Sequence, residues 1–204
     1  MYLPAFLQIA EDMNTSASSV SMSVASYFIG LAFGQLIYGP LMDRYGRKKP
    51  IYAGLTLFML ACIGCVNSND VVVLVAFRLI QALGGCVAWV GAMTMVRDFF
   101  PVQEASKIFS LWVLVLGMSP LVAPTAGGFI TVMLGWRAIF MALLIIAGAV
   151  LTIVIFFLPE GREPDKAVKI RPGPMFRTFV EIGSQPQFLT YALSGSLGFA
   201  ALFI

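Results

Sequence analysis

Residues 13–42, 50–69, 108–136 and 138–159 contain no charged side chain at all, and residues 71–96 contain only Arg78. A helix crosses the hydrocarbon of a bilayer with about 20 predominantly apolar residues, so these stretches make five complete spans. Across the 204 residues, 59% are hydrophobic and 11% are charged. Soluble domains hold roughly 45–50% apolar residues and about a quarter charged. Too little polar surface is left to solvate a small soluble domain. A soluble enzyme, a nucleic-acid-binding module and a disordered segment are therefore excluded, and the chain reads as an all-α polytopic membrane protein.

The two ends add partial spans. Residues 1–10 are apolar, roughly 15 Å as helix or half a bilayer, and Pro4 interrupts them. They lack the basic flank and small-residue cleavage site of a signal peptide. Residues 188–204 are apolar to the last position. Both ends are expected to be cut through a helix. Between the spans, Lys and Arg fall on alternate loops: Arg44, Arg47, Lys48 and Lys49; then Arg97 and Lys107; then Arg162, Lys166, Lys169, Arg171 and Arg177. These are 11 of the 13 basic residues, Arg78 and Arg137 being the others. The positive-inside rule puts the three basic loops in the cytoplasm and residues 67–70 outside. The expected divisions are 1–14, the end of helix 1 and an external loop; 15–159, helices 2–6; 160–187, a cytoplasmic linker rich in Pro, Gly and charge; and 188–204, the start of helix 7.

Composition also narrows the chemistry. With no histidine, a His base, a His-ligated metal and a His pH switch are excluded. Cys62 and Cys65 form a C-x-x-C inside an apolar run, where they read as small packing residues rather than a redox pair. No nucleophile–base pair or metal cluster is present, so no enzyme, cofactor or metal is expected.

Three motifs carry mechanism. In the first, residues 39–49 read Gly-Pro-Leu-Met-Asp-Arg-Tyr-Gly-Arg-Lys-Lys. Pro40 and Gly46 are expected to force a tight reversal between spans, and Asp43 to pair with a neighbouring cation or cap a facing helix. This loop resembles the signature of the major facilitator superfamily between helices 2 and 3, G-x-x-x-D-[RK]-x-G-R-[RK]. The resemblance implies a gating latch of Gly39, Asp43, Arg44, Gly46 and Arg47. Asp43 would meet a helix end of the protein's other half, and Arg47 would pair with an acid at the cytoplasmic end of helix 4, where Asp98 stands.

The second motif is Arg78. It lies about 12 Å into the membrane from Asp70, where snorkelling is awkward and a bundle partner or wet cavity is expected. Arg78 and Gln81 resemble the superfamily's helix 4 motif, R-x-x-Q-x-x-G, whose arginine is linked to proton coupling. The third lies in helix 5, where Gly117, Pro124, Gly127 and Gly128 resemble the antiporter motif G-x-x-x-G-P-x-x-G-G, with Ser119 and Ala123 replacing glycines. Pro124 bends a span and frees a carbonyl. Gly30 and Gly34 form a G-x-x-x-G read as helix packing.

Finer resemblance is to the bicyclomycin and chloramphenicol resistance exporters (the Bcr/CflA group), through Tyr2-Leu3-Pro4-Ala5, the run from Gly34 to Leu41, and Leu134-Gly135-Trp136-Arg137. In that group an aspartate of helix 1 immediately precedes the Met-Tyr-Leu-Pro with which this chain opens, and no carboxylate stands within the spans read here. The resemblance implies the N-terminal six-helix bundle of a proton-driven multidrug exporter in a bacterial inner membrane. Its partners would be lipophilic drugs, protons, the bilayer and a missing C-terminal six-helix half, with no nucleic acid and no cofactor beyond the proton gradient. Candidate pathway residues are Tyr2, Arg78, Gln81 and Trp112, with Tyr27, Gln35, Trp89 and Met118 also able to line it. An uptake permease of the same superfamily and a truncated, non-transporting membrane fragment are the alternatives.

Overall fold

A computed structural model describes residues 2–159 and 180–201, side chains of the latter segment through Gly198. The first unit begins with a 3-10 turn at Leu3–Ala5, which Pro4 suits because its fixed φ needs no amide donor. Helices α1 (Phe6–Asp12), α2 (Ala17–Tyr45), α3 (Lys48–Val66), α4 (Val71–Phe99), α5 (Val102–Leu134) and α6 (Arg137–Phe157) follow. Helices α2 to α6 are each long and apolar enough to cross a membrane. Residues 180–201 belong to a second unit, in which α7 spans Pro186–Ala201.

Local chemistry sets the helix starts. Ser16 caps α2 by accepting from the Ser19 amide at 3.1 Å, and Asp70 caps α4 by accepting from the Val72 amide at 3.2 Å. Helix α4 is the central element, packing most extensively on α2 and α3. Small residues allow this. A methyl at Gly30 would lie 2.6 Å from the Leu79 carbonyl oxygen, and one at Gly84 would lie 2.5 Å from the Phe58 nitrogen. The Gly30/Gly34 pair thus packs α2 on α4, as small-xxx-small motifs do in lipid. Two apolar clusters sit at opposite ends. One joins Tyr2, Ile9, Val20, Cys65, Leu74, Trp136 and Phe140; the other joins Tyr38, Met42, Ile51, Leu55 and Val87. Helix α5 leaves most of its apolar side chains exposed, which in a bilayer costs nothing because lipid tails are equally apolar.

Several expected boundaries move. Gly39, Pro40, Asp43 and Arg44 lie inside α2 rather than in a loop, and Pro40 breaks nothing. A proline removes one backbone bond, which a long helix tolerates, so the reversal falls to Gly46 alone, with φ 80° and ψ 177°. Only glycine adopts that conformation without strain. Helix α5 starts at Val102, ahead of the expected position 108, because Glu104 and Lys107 ride on the turns that precede its apolar span. Within the expected 1–14 division, Glu11 and Asp12 form the last turn of α1. Of the expected linker, residues 160–179 lie outside the described residues; 180–183 are helical, and α7 begins at Pro186 rather than at 188.

Candidate functional site

Arg78 stands eight residues into α4 and is 7% exposed. Its Nη1 donates to Gln81 Oε1 at 2.6 Å, one turn along the same helix face. Gln81 Nε2 donates in turn to Cys62 Sγ on α3 at 3.0 Å. The guanidinium carbon lies 4.2 Å from the Tyr27 ring centroid, 4.5 Å from that of Tyr2 and 5.8 Å from that of Phe140. Ser23 donates its hydroxyl to the Val20 carbonyl at 2.6 Å, which leaves Tyr2 as the donor in the 2.8 Å Tyr2–Ser23 bond. The 3-10 turn therefore holds Tyr2 against α2 and presents its ring face to the cation. Among the described residues the ion pairs are made by Arg47 and Arg137, and no carboxylate reaches Arg78. Desolvated cation–π contacts are worth about 2 kcal/mol or more each, and here they replace a counter-ion.

Three of the four principal pathway candidates thus come together: Tyr2, Arg78 and Gln81. Trp112 does not join them. It packs on Trp89, ring centroids 4.4 Å apart, and itself borders an apolar cleft with Met93, Val96 and Phe109. Trp89 lies eleven residues beyond Arg78, about 16 Å along the axis of α4. Gln35 and Met118 are exposed, whereas Tyr27 belongs to the Arg78 site. Sequence motifs point to neither Ser23 nor Phe140, and sequence reads Cys62 as a packing residue and not as part of this site. For Ser23 a signal existed: Ser23, Ser26, Gly30 and Gly34 recur at helical spacing and mark the α4-facing side of α2.

A second polar cluster closes the Gly46 end. Arg47 Nε donates to Asp98 Oδ2 at 2.7 Å, and its Nη1 donates to Asp43 Oδ1 at 2.8 Å. Burial works against the Arg47 charge, but the two carboxylates outweigh it and hold its pKa above the ordinary value. Arg47 and Asp98 side chains are 5% and 16% exposed, while Asp43 is 57% exposed and needs no helix end to satisfy it here. Arg44 lies over the ring of its neighbour Tyr45 at 5.4 Å.

The helix 5 motif divides. Gly127 is buried, and a methyl at Gly128 would meet Pro4 at 3.8 Å, so this part seats α5 on the 3-10 turn. Gly117 faces open space, and Pro124 is half-buried within a continuous helix. At the end opposite Gly46, Asp12 Oδ2 accepts from Trp136 Nε1 at 2.8 Å. Arg137 reaches the carbonyl oxygens of Val66 at 3.1 Å and Ser68 at 3.3 Å. Arg137, the exception to the basic-loop pattern, is thereby fixed by backbone.

Over residues 1–204 the chain matches the profile of the Major Facilitator Superfamily. It is 34% identical over 203 residues to the bicyclomycin resistance protein homolog of Haemophilus influenzae, covering 100% of this chain and 51% of that protein. It is 31% identical to multidrug resistance protein D of Escherichia coli, covering 98% of this chain and 51% of that one. A chloramphenicol resistance protein of Pseudomonas aeruginosa is 33% identical over 141 residues, 69% of this chain and 34% of that protein. The chain spans about half the length of the first two relatives. A match along all 204 residues, carried on five membrane-length helices, places this multi-pass membrane chain in the Major Facilitator Superfamily, a family of transporters rather than enzymes.

Proposed function

We propose that this chain forms one bundle of a proton-coupled exporter of lipophilic drugs in a bacterial inner membrane. A second bundle from the rest of the protein completes the path, and the two rock about a site near the midplane to expose it alternately to each face. The observation that carries the reading is Arg78: a charge retained in mid-span, held by Gln81 and two tyrosine faces. Intramembrane charges are costly, and they mark ion and substrate pathways. The relatives' names, which speak of bicyclomycin, chloramphenicol and multidrug resistance, support the drug class. The energy source is the proton gradient, with no bound cofactor. Asp43, Arg47 and Asp98 act as the latch on the cytoplasmic face, and Gly127–Gly128 keeps α5 close to the Tyr2 turn during the movement.

Drug efflux from proteoliposomes holding the full-length protein tests this. Export is expected to rise with an inward proton gradient and to collapse when an ionophore dissipates it; gradient-independent flux, or drug uptake with the proton, contradicts it. Orientation is tested separately. Ser68 is buried, so the external probe belongs at exposed Asn69. Asn69→Cys should react with an impermeant maleimide in intact cells, and Lys49→Cys should not; the native cysteines are all buried.

A further inference from the structure

Arg137 breaks the charge pattern of the chain. It stands at the end opposite Gly46, on a loop that the positive-inside rule would leave without basic residues. Its guanidinium is shared among three helices. Nε donates to the Val66 carbonyl at 3.1 Å and Nη2 to that of Ser68 at 3.3 Å, so the cation caps the end of α3, where the helix dipole favours positive charge. Nη1 donates to Oδ2 of Asp12, the last residue of α1, at 3.4 Å. Trp136 Nε1 donates to the same oxygen at 2.8 Å, and the guanidinium carbon lies 4.3 Å from the Trp136 ring centroid. The ends of α1 and α3 and the start of α6 are thereby tied at one point. Asp12 and Arg137 side chains are 45% and 39% exposed. So exposed an ion pair adds little to stability; what it fixes matters more.

From this point a line of rings leads inward. Trp136 is buried, and its ring meets that of Phe140, one turn along α6, edge-to-face at 6.1 Å. Phe140 is fully buried and meets the Tyr2 ring at 5.7 Å, again edge-to-face. Tyr2 and Phe140 both lie over the Arg78 guanidinium, at 4.5 Å and 5.8 Å. Tyr2 and Asp12 are also the two pinned ends of one segment, the 3-10 turn with α1. Tyr2 is bonded to Ser23 at 2.8 Å at one end, and Asp12 accepts from Trp136 at the other. A helix of seven residues has little stability of its own and takes its position from such contacts. Close-packed side chains transmit displacement, so a shift of Trp136 or of the Asp12 end of α1 reaches the Tyr2 ring. We propose that Asp12, Trp136 and Arg137 form a clasp that positions Tyr2 on Arg78, acting through Phe140 on α6 and along α1. They are positioning residues, and they make the end opposite Gly46 and the mid-span cation one mechanical unit. This rests on the transporter reading only for its effect on flux; the placement of Tyr2 is measured without a gradient.

The full-length protein is reconstituted in nanodiscs with 15N-labelled arginine, and the guanidinium N–H signals are read by NMR. Arg78→Lys and Arg47→Lys identify the two signals by removing them. A ring face shields the protons above it, so Tyr2→Leu should move the Arg78 signal downfield. Asp12→Ala should move it in the same direction, and so should Trp136→Phe, which keeps a ring and loses the N–H donor. The Arg47 signal, at the opposite end, should stay in place, which separates repositioning from general loosening. In proteoliposomes Asp12→Ala should slow proton-driven drug efflux about threefold to tenfold, and adding it to Tyr2→Leu should slow that variant no further, because both act through one ring. The proposal is overturned if the Arg78 signal stays in place in Asp12→Ala and Trp136→Phe, if the Arg47 signal moves with it, or if the efflux losses multiply. A parent protein without proton-driven efflux would refute the transporter reading, while the Arg78 signal would still decide the clasp.

Discussion

Two arginines of this chain are almost equally buried, Arg47 at 6% and Arg78 at 7% exposure, yet their surroundings differ in kind. Arg47 sits where α2 turns into α3 and has two carboxylates, Asp98 at 2.7 Å and Asp43 at 2.8 Å. Arg78 sits within a span and has ring faces, one amide oxygen and an Nε with no partner among the described residues. The first charge is compensated inside the bundle, so it ties three helix ends together. The second is held by aromatic faces and an amide oxygen in place of a carboxylate, so its electrostatic state depends on what reaches it. Burial alone does not tell the two charges apart; the partner set does.

The largest stability effect is expected at Arg47. Removing one member of a buried ion pair leaves the other uncompensated and costs about 3–5 kcal/mol. Arg47→Ala should lower the unfolding free energy of the full-length protein in micelles by about this much, and Asp98→Ala by less, because Asp43 still pairs with Arg47. The double change should cost less than their sum, because either single change already removes the pair. Fully additive losses would separate the two residues. Arg78→Ala should cost no more than about 1–2 kcal/mol, since the lost Gln81 bond and ring contacts are offset by removing an unpaired buried charge. Equal losses at Arg47 and Arg78 would erase the distinction. Gly46→Ala follows at about 1–3 kcal/mol, read as a fall in the same unfolding free energy, because φ 80° with ψ 177° strains any side chain. Asp12→Asn is the smallest, under about 1 kcal/mol: Asp12 is 45% exposed, and its replacement retains an oxygen for Trp136.

The same contrast explains what was legible in the sequence. Five spans and their order follow from uncharged runs, since a lipid-crossing segment has almost no freedom in composition. The pairing of Arg47 with Asp98 is legible only through the superfamily resemblance, because 51 residues separate them and no periodicity links α2's end to α4's. Arg78 and Gln81 announce themselves as polar residues one turn apart. Their frame does not. Tyr2 reaches the site through a 3-10 turn, and Cys62 and Ser23 look like ordinary small packing residues until α3 and α2 are brought against α4. Trp112 shows another limit: its position along α5, away from Arg78 and beside Trp89, is set by packing that the sequence does not display. Pro40 misleads for a related reason, as proline ends helices in water more often than it ends spans in lipid.

The claim that Arg78 works while Arg47 holds is tested most directly by Arg78→Lys in full-length protein, with thermal stability and proton-driven drug efflux measured on the same proteoliposome preparation. Lysine keeps the positive charge and loses the planar fork. The expected result is a melting temperature within about 2 °C of the parent, a destabilisation well under 1 kcal/mol, together with proton-driven efflux at least about tenfold slower. Unchanged efflux, or a loss of stability as large as that of Arg47→Ala, would contradict the account.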